Sequence, residues 1–489
     1  MKPEFIAGDF GAESGRVIVG RLTGRKLTLE EVHRFPNPQV RILGHFYWDV
    51  LHLFRELKRG LILAAQSGCR EPAGIGLDTW GVDFGLVNED GTLSGFPVAY
   101  RDSRTDGMME AAFERVPRDE LYQLTGIQLM QINTIFQLLS LARREASALQ
   151  SARRLLFMPD LFNYLLTGVS SSEETIASTS QLLDARTRTW SDGLFERLGL
   201  PIEIMPEIRP SGSILGSLLP EVQEETGVTA SVIAPAGHDT ACAVAAVPAA
   251  GDDWAFLSSG TWSLLGAELK APIINQASLK ANFTNEGGFA GRIRFLRNNM
   301  GMWLLERCRA KWRDRGEDVD YGQLVELAEA AAKARSLFDP DHPSLLNPPD
   351  MPRAIAECCR TAGQPVPEDK GQFVRAIFES LALKYRLLLE HLERLRGRPI
   401  TRLHVVGGGS RNRLLNQLTA DATGIEVIAG PAEATATGNI LIQAVAAGFL
   451  SGLDEVREVV RNTVVPGHYQ PRDREAWDAR YEDARNLFR

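Results

Sequence analysis

The stretch Phe5-Ile6-Ala7-Gly8-Asp9-Phe10-Gly11-Ala12-Glu13-Ser14-Gly15-Arg16-Val17-Ile18-Val19 contains an apolar run, an acid, a loop of small residues and a second apolar run. This order predicts a β-hairpin, because apolar runs of this length suit paired strands. In the turn, successive backbone N–H groups can surround an anion, as in phosphate-binding loops. Asp9 would then face the phosphates through a Mg²⁺ ion, which takes only one or two protein carboxylates. The alternative is an ordinary hairpin with a carboxylate beside its turn.

The same pattern occurs a second time at residues 254–266, where apolar runs flank Ser258-Ser259-Gly260-Thr261. Internal repetition carries more weight than a single motif. Two phosphate hairpins, one in each half of the chain, resemble the duplicated ATPase fold of actin and the hexokinases. The predicted fold class is therefore α/β, with two ribonuclease H-like ATPase domains and the active site in the cleft between them. Gly260 and Thr261 would supply N–H groups and a hydroxyl to the outer phosphate.

Length and composition fit a globular protein of two or three domains. The chain has 489 residues, of which 44% are hydrophobic and 24% are charged, and its net charge is −8. This charge disfavours a nucleic-acid partner, because binding to that backbone depends on clustered Lys and Arg. No apolar run reaches the roughly 18 residues that a membrane span needs, and the first residues lack the apolar core of a signal peptide. We therefore expect a cytoplasmic protein without a membrane partner.

The five cysteines make an odd number without Cys-x-x-Cys spacing, so they predict reduced thiols rather than a zinc site or a disulfide framework. Apolar spacing predicts a helix over residues 48–67, strands at 74–78 and 84–87, and an amphipathic C-terminal helix around Trp477 and Tyr481. The predicted division is an N-terminal domain at 1–245, a C-terminal domain at 246–455 and a helical tail at 456–489.

Asp239 is the main candidate for acid–base chemistry. It lies in Gly237-His238-Asp239-Thr240-Ala241, between an apolar strand-like segment and a helix of small residues. At a helix N-terminus the dipole and the free N–H groups favour an ionised carboxylate. Such a carboxylate can accept the proton of a hydroxyl that attacks the γ-phosphorus of a nucleotide. The alternative is a plain N-cap, since Asp is among the commonest capping residues.

A triple glycine, Gly407-Gly408-Gly409, follows the apolar segment 403–406 and precedes a leucine-containing helix. Three successive residues without side chains leave room for an adenine or a ribose against the backbone. A tight strand-to-helix turn would explain the same sequence.

Together these segments resemble the FGGY family of carbohydrate kinases, and the resemblance covers essentially the whole chain. The opening hairpin, the segment 237–241, Ser259-Gly260-Thr261 and Val406-Gly407-Gly408-Gly409 stand in the order of that family. The segments 78–84, 99–105, 257–264 and 284–288 look like those of family members that act on L-rhamnulose.

The resemblance implies transfer of a phosphoryl group from ATP to the C1 hydroxyl of L-rhamnulose, with Mg²⁺ and with Asp239 as the base. It implies sugar contacts by Gly81, His238, Asp239, Thr240 and Asn298, and a pocket wall of Thr79, Trp80 and Asp83. The Trp80 indole would lie against the sugar with its N–H directed outward. ATP would contact Ala12, Glu13, Ser14, Gly15, Arg16, Thr261, Glu306 and Gly408, and Asp9 would reach the metal through water.

Two positions depart from the family pattern. Glu306 stands where an amide is expected, and a carboxylate is unfavourable near phosphates; Glu13 stands where a small hydroxyl residue is common and would point to solvent. Three alternatives remain open. They are an L-fuculokinase or another kinase of the family, a heat-shock-type ATPase, and a non-catalytic sugar-sensing relative. The oligomeric state is expected to be a monomer or a homodimer.

Overall fold

The computed structural model describes residues 3–333 and 335–488. In chain order the strands are β1 (Glu4–Phe10), β2 (Ser14–Thr23), β3 (Lys26–Pro36), β4 (Gln39–Ile42), β5 (His45–Trp48), β6 (Gly74–Thr79), β7 (Phe84–Val87), β8 (Arg154–Phe157), β9 (Ser172–Glu173), β10 (Ile208–Arg209), β11 (Ser213–Ser217), β12 (Ser231–Ala234), β13 (Trp254–Ser259), β14 (Trp262–Leu269), β15 (Thr284–Gly287), β16 (Ile293–Met300), β17 (Arg402–Val406), β18 (Glu426–Ala429) and β19 (Gly467–Tyr469).

The α-helices are α1 (Val50–Gln66), α2 (Met108–Phe113), α3 (Arg118–Thr125), α4 (Thr134–Arg143), α5 (Ser147–Ser151), α6 (Met158–Thr167), α7 (Glu174–Ala177), α8 (Asp192–Leu198), α9 (Pro220–Thr226), α10 (Asp239–Ala245), α11 (Gln276–Lys280), α12 (Trp303–Asp314), α13 (Tyr321–Ala330), α14 (Met351–Thr361), α15 (Lys370–Arg396), α16 (Arg413–Thr423), α17 (Ala434–Ala446), α18 (Leu453–Thr463) and α19 (Arg474–Arg485). Short 3₁₀ turns occur at Ser103–Thr105, Ser178–Ser180, Ile202–Ile204, Phe289–Gly291, Pro343–Leu345 and Gly408–Arg411.

The chain forms two compact units. Unit 1 comprises the residues up to Pro248 together with Glu268–Phe295 and Ala434–Val464, and unit 2 comprises Ala249–Ala267, Leu296–Glu433 and the residues from Val465 onward. The division differs from the predicted one in two segments, because Glu268–Phe295 and Ala434–Val464 cluster with unit 1.

The sheet of unit 1 has the strand order β11-β12-β6-β1-β2-β3. Strand β1 pairs antiparallel with β2 and parallel with β6, and β12 pairs parallel with β6. After its first residue, Glu4, β1 is buried throughout, as expected for a central strand. Gly20 on β2 allows close packing of α17, because a Cβ there would lie 2.5 Å from the Ile440 side chain.

A second sheet has the order β15-β16-β14-β13-β17-β18-β19, and its strands β13, β17, β18 and β19 lie entirely in unit 2. Strand β13 pairs antiparallel with β14 and parallel with β17. The long helix α15 of unit 2 buries most of its residues between 374 and 389. The arrangement of β13, β14 and β17 repeats that of β1, β2 and β6 in unit 1.

The helices and strands that apolar spacing predicted are present in the structure. Helix α1 spans most of the predicted 48–67 helix, and β6, β7 and α19 confirm the strands at 74–78 and 84–87 and the C-terminal helix, in which Trp477 and Tyr481 are buried. The cysteines are free thiols, as predicted. Within residues 3–333 and 335–488, the helices lack the combination of length and apolar character that crossing a bilayer requires.

Candidate active site

Polar residues gather where parallel strands of unit 1 end. Asp9 near the end of β1 lies opposite Asp78 on β6, and Thr79 forms a single parallel bridge with His238. The Thr79 amide donates to the Gly237 carbonyl at 2.9 Å, which places the segment after β12 beside the end of β6. Ligands of open α/β sheets bind outside the carboxyl ends of the strands. This edge is therefore the candidate site of unit 1.

Asp239 is the first residue of α10, and His238 occupies the N-cap position. Plain N-capping by Asp239 is therefore wrong. Its Oδ1 accepts from the Thr240 amide at 2.5 Å and from the Thr240 hydroxyl at 3.0 Å, and it lies 3.4 Å from His238 Nε2. The side chain is 31% exposed. In the described part of the chain we find no hydrogen bond to Oδ2, so Oδ1 is held by Thr240 and Oδ2 stays available to a ligand.

Gly81 lies beside the same imidazole. A Cβ at this position would approach His238 Nε2 at 3.3 Å and Thr179 Cγ2 at 3.4 Å. His238 Nε2, Asp239 and the bare backbone of Gly81 thus border one small region. A larger side chain at position 81 would fill the space that a small ligand needs.

Asp78 and Asp9 form a buried carboxylate pair. Burial raises the pKa of Asp78 well above its usual value, and the charges of Asp9 and Asp239 raise it further. Asn439 donates to Asp78 Oδ2 at 2.6 Å, whereas Asp78 Oδ1 is buried without a hydrogen-bond partner among the described residues. Arg16 forms an ion pair with Asp9.

This pair has the chemistry of a site for Mg²⁺. Oxygen donors, closely spaced negative charge and an unpartnered buried carboxylate oxygen suit a hard cation that keeps most of its waters. The Arg16 ion pair with Asp9 favours contact through water rather than a direct bond. Over residues 3–333 and 335–488 there is no group of three or more His, Cys, Asp or Glu arranged to hold a metal. The residues fit a Mg²⁺ ion that is held by one or two carboxylates and keeps most of its waters.

The first turn is held by Asn37, whose side chain donates to the Gly11 carbonyl at 2.9 Å and whose amide donates to the Glu13 carbonyl at 2.9 Å. Glu13 is exposed, and Ala12 and Ser14 are half-buried. Gly15 has a packing reason, because a Cβ there would lie 2.3 Å from the Phe35 ring. The Asn37 contribution was missed, since nothing local in the sequence links position 37 to the turn.

The predicted sugar wall differs from expectation at two residues. Trp80 is only 5% exposed, and its indole N–H donates inward to Asp83 at 3.0 Å, not outward. Asp83 is fully buried and also accepts from Trp48 at 2.6 Å and from Gln137 at 2.9 Å. Burial raises the pKa of Asp83 to about 6, against the lowering effect of these hydrogen bonds. Asp83 thus organises the indoles, while Thr79 is wholly buried beside them.

In unit 2, the turn after β13 and the triple glycine after β17 are neighbours. Strands β13 and β17 pair up to Ser258 and Val406. A Cβ on Gly409 would lie 2.0 Å from Ser259 Oγ, whereas one on Gly408 would meet nothing within 4 Å. Thr261 is half-buried, and its carbonyl accepts from the Trp303 amide at 3.2 Å. The sequence therefore predicted two segments that do meet at one end of this sheet.

Glu306 lies in the first turn of α12 of unit 2. Arg309 donates to both of its carboxylate oxygens, at 3.1 and 3.0 Å. This ion pair offsets the charge that makes a carboxylate unfavourable near phosphates. Asn298 lies on β16 and is half-buried. Both residues belong to unit 2, whereas Asp239, His238 and Gly81 belong to unit 1.

Two family descriptions match the chain. Residues 5–246 match the N-terminal domain of the FGGY family of carbohydrate kinases, and residues 255–447 match its C-terminal domain.

Curated relatives are similar over the full length. The chain is 50% identical to a rhamnulokinase of Bacteroides thetaiotaomicron over 100% of both chains. It is 42% identical to a rhamnulokinase of Enterococcus faecalis, covering 96% of this chain and 94% of the relative. It is 41% identical to a rhamnulokinase of Klebsiella pneumoniae, covering 95% and 94%.

Solved structures show the same fold at low identity. A xylulose kinase from Lactobacillus acidophilus matches with a TM-score of 0.80 and 16% identity, covering 99% of this chain and 97% of that chain. A glycerol kinase from Plasmodium falciparum, solved with ADP, matches with a TM-score of 0.79 and 15% identity, covering 99% and 98%. The predicted α/β fold with two kinase domains is therefore confirmed, and the predicted position of the active site stays a prediction.

Proposed function

The chain belongs to the FGGY family of carbohydrate kinases, and on that premise we propose that it phosphorylates L-rhamnulose at the C1 hydroxyl, with ATP as donor. The observation that carries the proposal is the full-length similarity to curated rhamnulokinases, 50% identical in one case. An L-fuculokinase is not favoured, because the similar relatives named above share one activity. Both predicted phosphate turns and the predicted base are present, which argues against a non-catalytic relative.

Asp239 is proposed as the catalytic base. Its Oδ2 accepts the proton of the C1 hydroxyl while the hydroxyl oxygen attacks the γ-phosphorus, and ADP leaves with the electron pair of the broken bond. Thr240 holds Oδ1 through its amide and its hydroxyl, so the carboxylate keeps its orientation during transfer. His238 Nε2 and the backbone of Gly81 would contact the same end of the ketose, and Asn298 is proposed as a further sugar contact.

The remaining roles on the sugar side follow the corrected geometry. The indole N–H of Trp80 donates to Asp83, and we propose that the ring borders the sugar. Thr79 and Asp83 are buried and would support this wall from the core. This arrangement supports an apolar wall for the methyl group of a 6-deoxyketose, a contact worth about 1 kcal/mol.

ATP is proposed to contact residues 12–16 of the first turn, Thr261 and Gly408, with Glu306 near the nucleotide as part of its pair with Arg309. Asp9 and Asp78 would hold Mg²⁺ through water, and the ion would supply charge neutralisation for the phosphates. We further propose a cytoplasmic monomer or homodimer, with sequence modules at 1–245, 246–455 and 456–489.

The test is an ADP-release assay of the purified chain with L-rhamnulose, L-fuculose, L-ribulose, D-xylulose and glycerol. We expect the highest kcat/KM with L-rhamnulose, and a product phosphorylated at C1 by ³¹P and ¹H NMR. A higher kcat/KM with L-fuculose would replace the proposed substrate. Absence of turnover with every acceptor would favour the non-catalytic alternative.

A further inference from the structure

The segment 284–288 of unit 1, with sequence Thr-Asn-Glu-Gly-Gly, has no role in the reaction described so far. Most of it forms β15, and its Glu286 is only 4% exposed. A buried carboxylate is costly unless charge or hydrogen bonds compensate it. Glu286 therefore needs a structural or functional reason.

One compensating charge is Arg294 on β16, whose side chain is wholly buried. Its Nε donates to the Gly287 carbonyl at 2.7 Å, and its terminal nitrogen lies 3.2 Å from Glu286 Oε2. Burial lowers the pKa of the Arg294 guanidinium, and the charges of Glu286 and Asp239 oppose this effect. Arg294 thus fixes both the backbone and the carboxylate of the 284–288 segment.

The same carboxylate oxygen faces the active site. Glu286 Oε2 lies 3.5 Å from Nδ1 of His238, and this nitrogen has no hydrogen bond among the described residues. The other ring nitrogen, Nε2, lies 3.4 Å from Asp239 Oδ1. The imidazole therefore stands between a carboxylate held by Arg294 and the proposed base.

We propose that Glu286, fixed by Arg294, is a positioning residue that keeps a proton on His238 Nδ1 and aims Nε2 at the ketose beside Asp239. In a neutral imidazole, a carboxylate beside one nitrogen favours the proton on that nitrogen and leaves the lone pair on the other. This inference rests on the proposed function in one respect, namely that His238 contacts the sugar.

A purely structural role for Glu286 is the competing explanation, in which it only neutralises Arg294. Unit 2 offers a matched pair for comparison. On α15, Arg375 donates to Glu379 at 2.6 Å, and both side chains are buried. Substitution of Glu379 measures the general effect of breaking a buried Arg–Glu pair away from His238.

The first experiment compares E286A and E286Q with E379A and E379Q in steady-state kinetics. We expect E286A to raise KM for L-rhamnulose about tenfold and to leave KM for ATP within twofold. E286Q should recover most of the affinity, because its amide oxygen can accept from Nδ1–H. The Glu379 variants should change neither KM. Equal effects of E286A and E379A on KM for the ketose would overturn the inference.

The second experiment does not depend on turnover. The chain contains eight histidines, so ¹⁵N-histidine labelling with H238Q as the assignment control isolates the imidazole signals of His238. We expect a protonated Nδ1 in the wild type and in E286Q, and loss of this protonation in E286A. An unprotonated Nδ1 in the wild type would overturn the inference whether or not any variant folds. Failure of the wild type to phosphorylate L-rhamnulose, with Nδ1 protonated as expected, would instead overturn the proposed function.

Discussion

The strand–turn–strand segments β1–β2 and β13–β14 share one architecture but carry different chemistry. In each unit the first strand pairs antiparallel with the second and parallel with a strand from later in the chain. In unit 1 the parallel register sets Asp9 opposite Asp78, whereas in unit 2 it sets Ser258 opposite Val406. At this register the described residues of the duplicated scaffold form a carboxylate pair in unit 1 and an uncharged pair in unit 2.

The glycines of the two turn regions also have different surroundings. Gly15 of unit 1 accommodates the ring of Phe35, which is a packing contact. Gly409 of unit 2 lets the triple glycine approach Ser259, and Gly408 beside it borders open space. The turn region of unit 1 thus concentrates the buried charge proposed for proton transfer and for a cation, whereas the turn region of unit 2 presents uncharged backbone.

The largest effect should come from Asp239→Asn in unit 1. Loss of the base should lower kcat by at least about 10²-fold, because general-base catalysis typically contributes 10²- to 10⁴-fold. ATP affinity should change little, since the amide retains the size of the carboxylate. Steady-state kinetics together with ATP binding by calorimetry checks this. A variant with more than about a tenth of the wild-type kcat would remove Asp239 from the role.

The strands and helices were predictable because their signal is local. The apolar runs of β1, β6 and β17 and the helical spacing of α1 report burial directly. The extents of the compact units were not predictable, because α17 joins unit 1 through packing that no local pattern encodes. Its Asn439 reaches Asp78 across 361 residues of sequence.

The sequence predicted the part of the candidate site whose residues lie within the recognised motifs. Asp239, His238 and Gly81 do border one region, as predicted. The predicted outward direction of the Trp80 indole N–H was wrong, because this group donates to Asp83. The local sequence does not specify the side-chain rotamer that forms this hydrogen bond. Glu286 lies in the recognised segment 284–288. Its contact with His238 was not predictable, because the two residues come together only in the folded chain.

The second prediction concerns buried charge in unit 1 and its effect on stability. Burial raises the pKa of Asp83 to about 6, while an unfolded Asp titrates near about 3.9. Between these values the native state binds more protons, so stability should fall as pH rises, by about 3 kcal/mol in total. The loss is complete only above the native pKa, at about pH 7. The difference in unfolding free energy between the wild type and Asp83→Asn, measured with urea from pH 4 to 7, should show this slope.

Asp253 of unit 2 supplies a control of opposite sign. Hydrogen bonds from Thr401 and Arg402 lower its pKa. Its contribution to stability is fully present above about pH 5 and is lost as pH falls through the unfolded and then the lowered native pKa. Asp253→Asn should therefore leave the slope between about pH 5 and 7 unchanged. Parallel pH profiles for wild type and Asp83→Asn would refute the assignment of buried charge to Asp83.

The third prediction compares equivalent positions of the two turns. Asp9→Asn removes the partner of Arg16 and one charge beside Asp78, and it should lower kcat by about 10- to 100-fold, since such charged hydrogen bonds are worth about 1.5–3 kcal/mol. The Mg²⁺ concentration for half-maximal rate should rise. Ser258→Ala, at the corresponding register of unit 2, should change the rate less than twofold. Initial rates of both variants over a range of Mg²⁺ concentrations measure this. Equal changes in Asp9→Asn and Ser258→Ala would show that the two turns do not differ in this role.

The smallest effect is expected at the triple glycine of unit 2. Gly409→Ala places a Cβ 2.0 Å from Ser259 Oγ, so the segment must shift at a cost of about 1–3 kcal/mol. Both Tm and ATP affinity should fall, with KM for ATP rising about tenfold.

Gly408→Ala has open space around its Cβ, so its Tm should match the wild type. KM for ATP should still rise a few fold if the nucleotide lies against Gly408. Thermal unfolding and kinetics of both variants distinguish packing from binding, and an unchanged KM for ATP in Gly408→Ala would place the nucleotide away from this glycine.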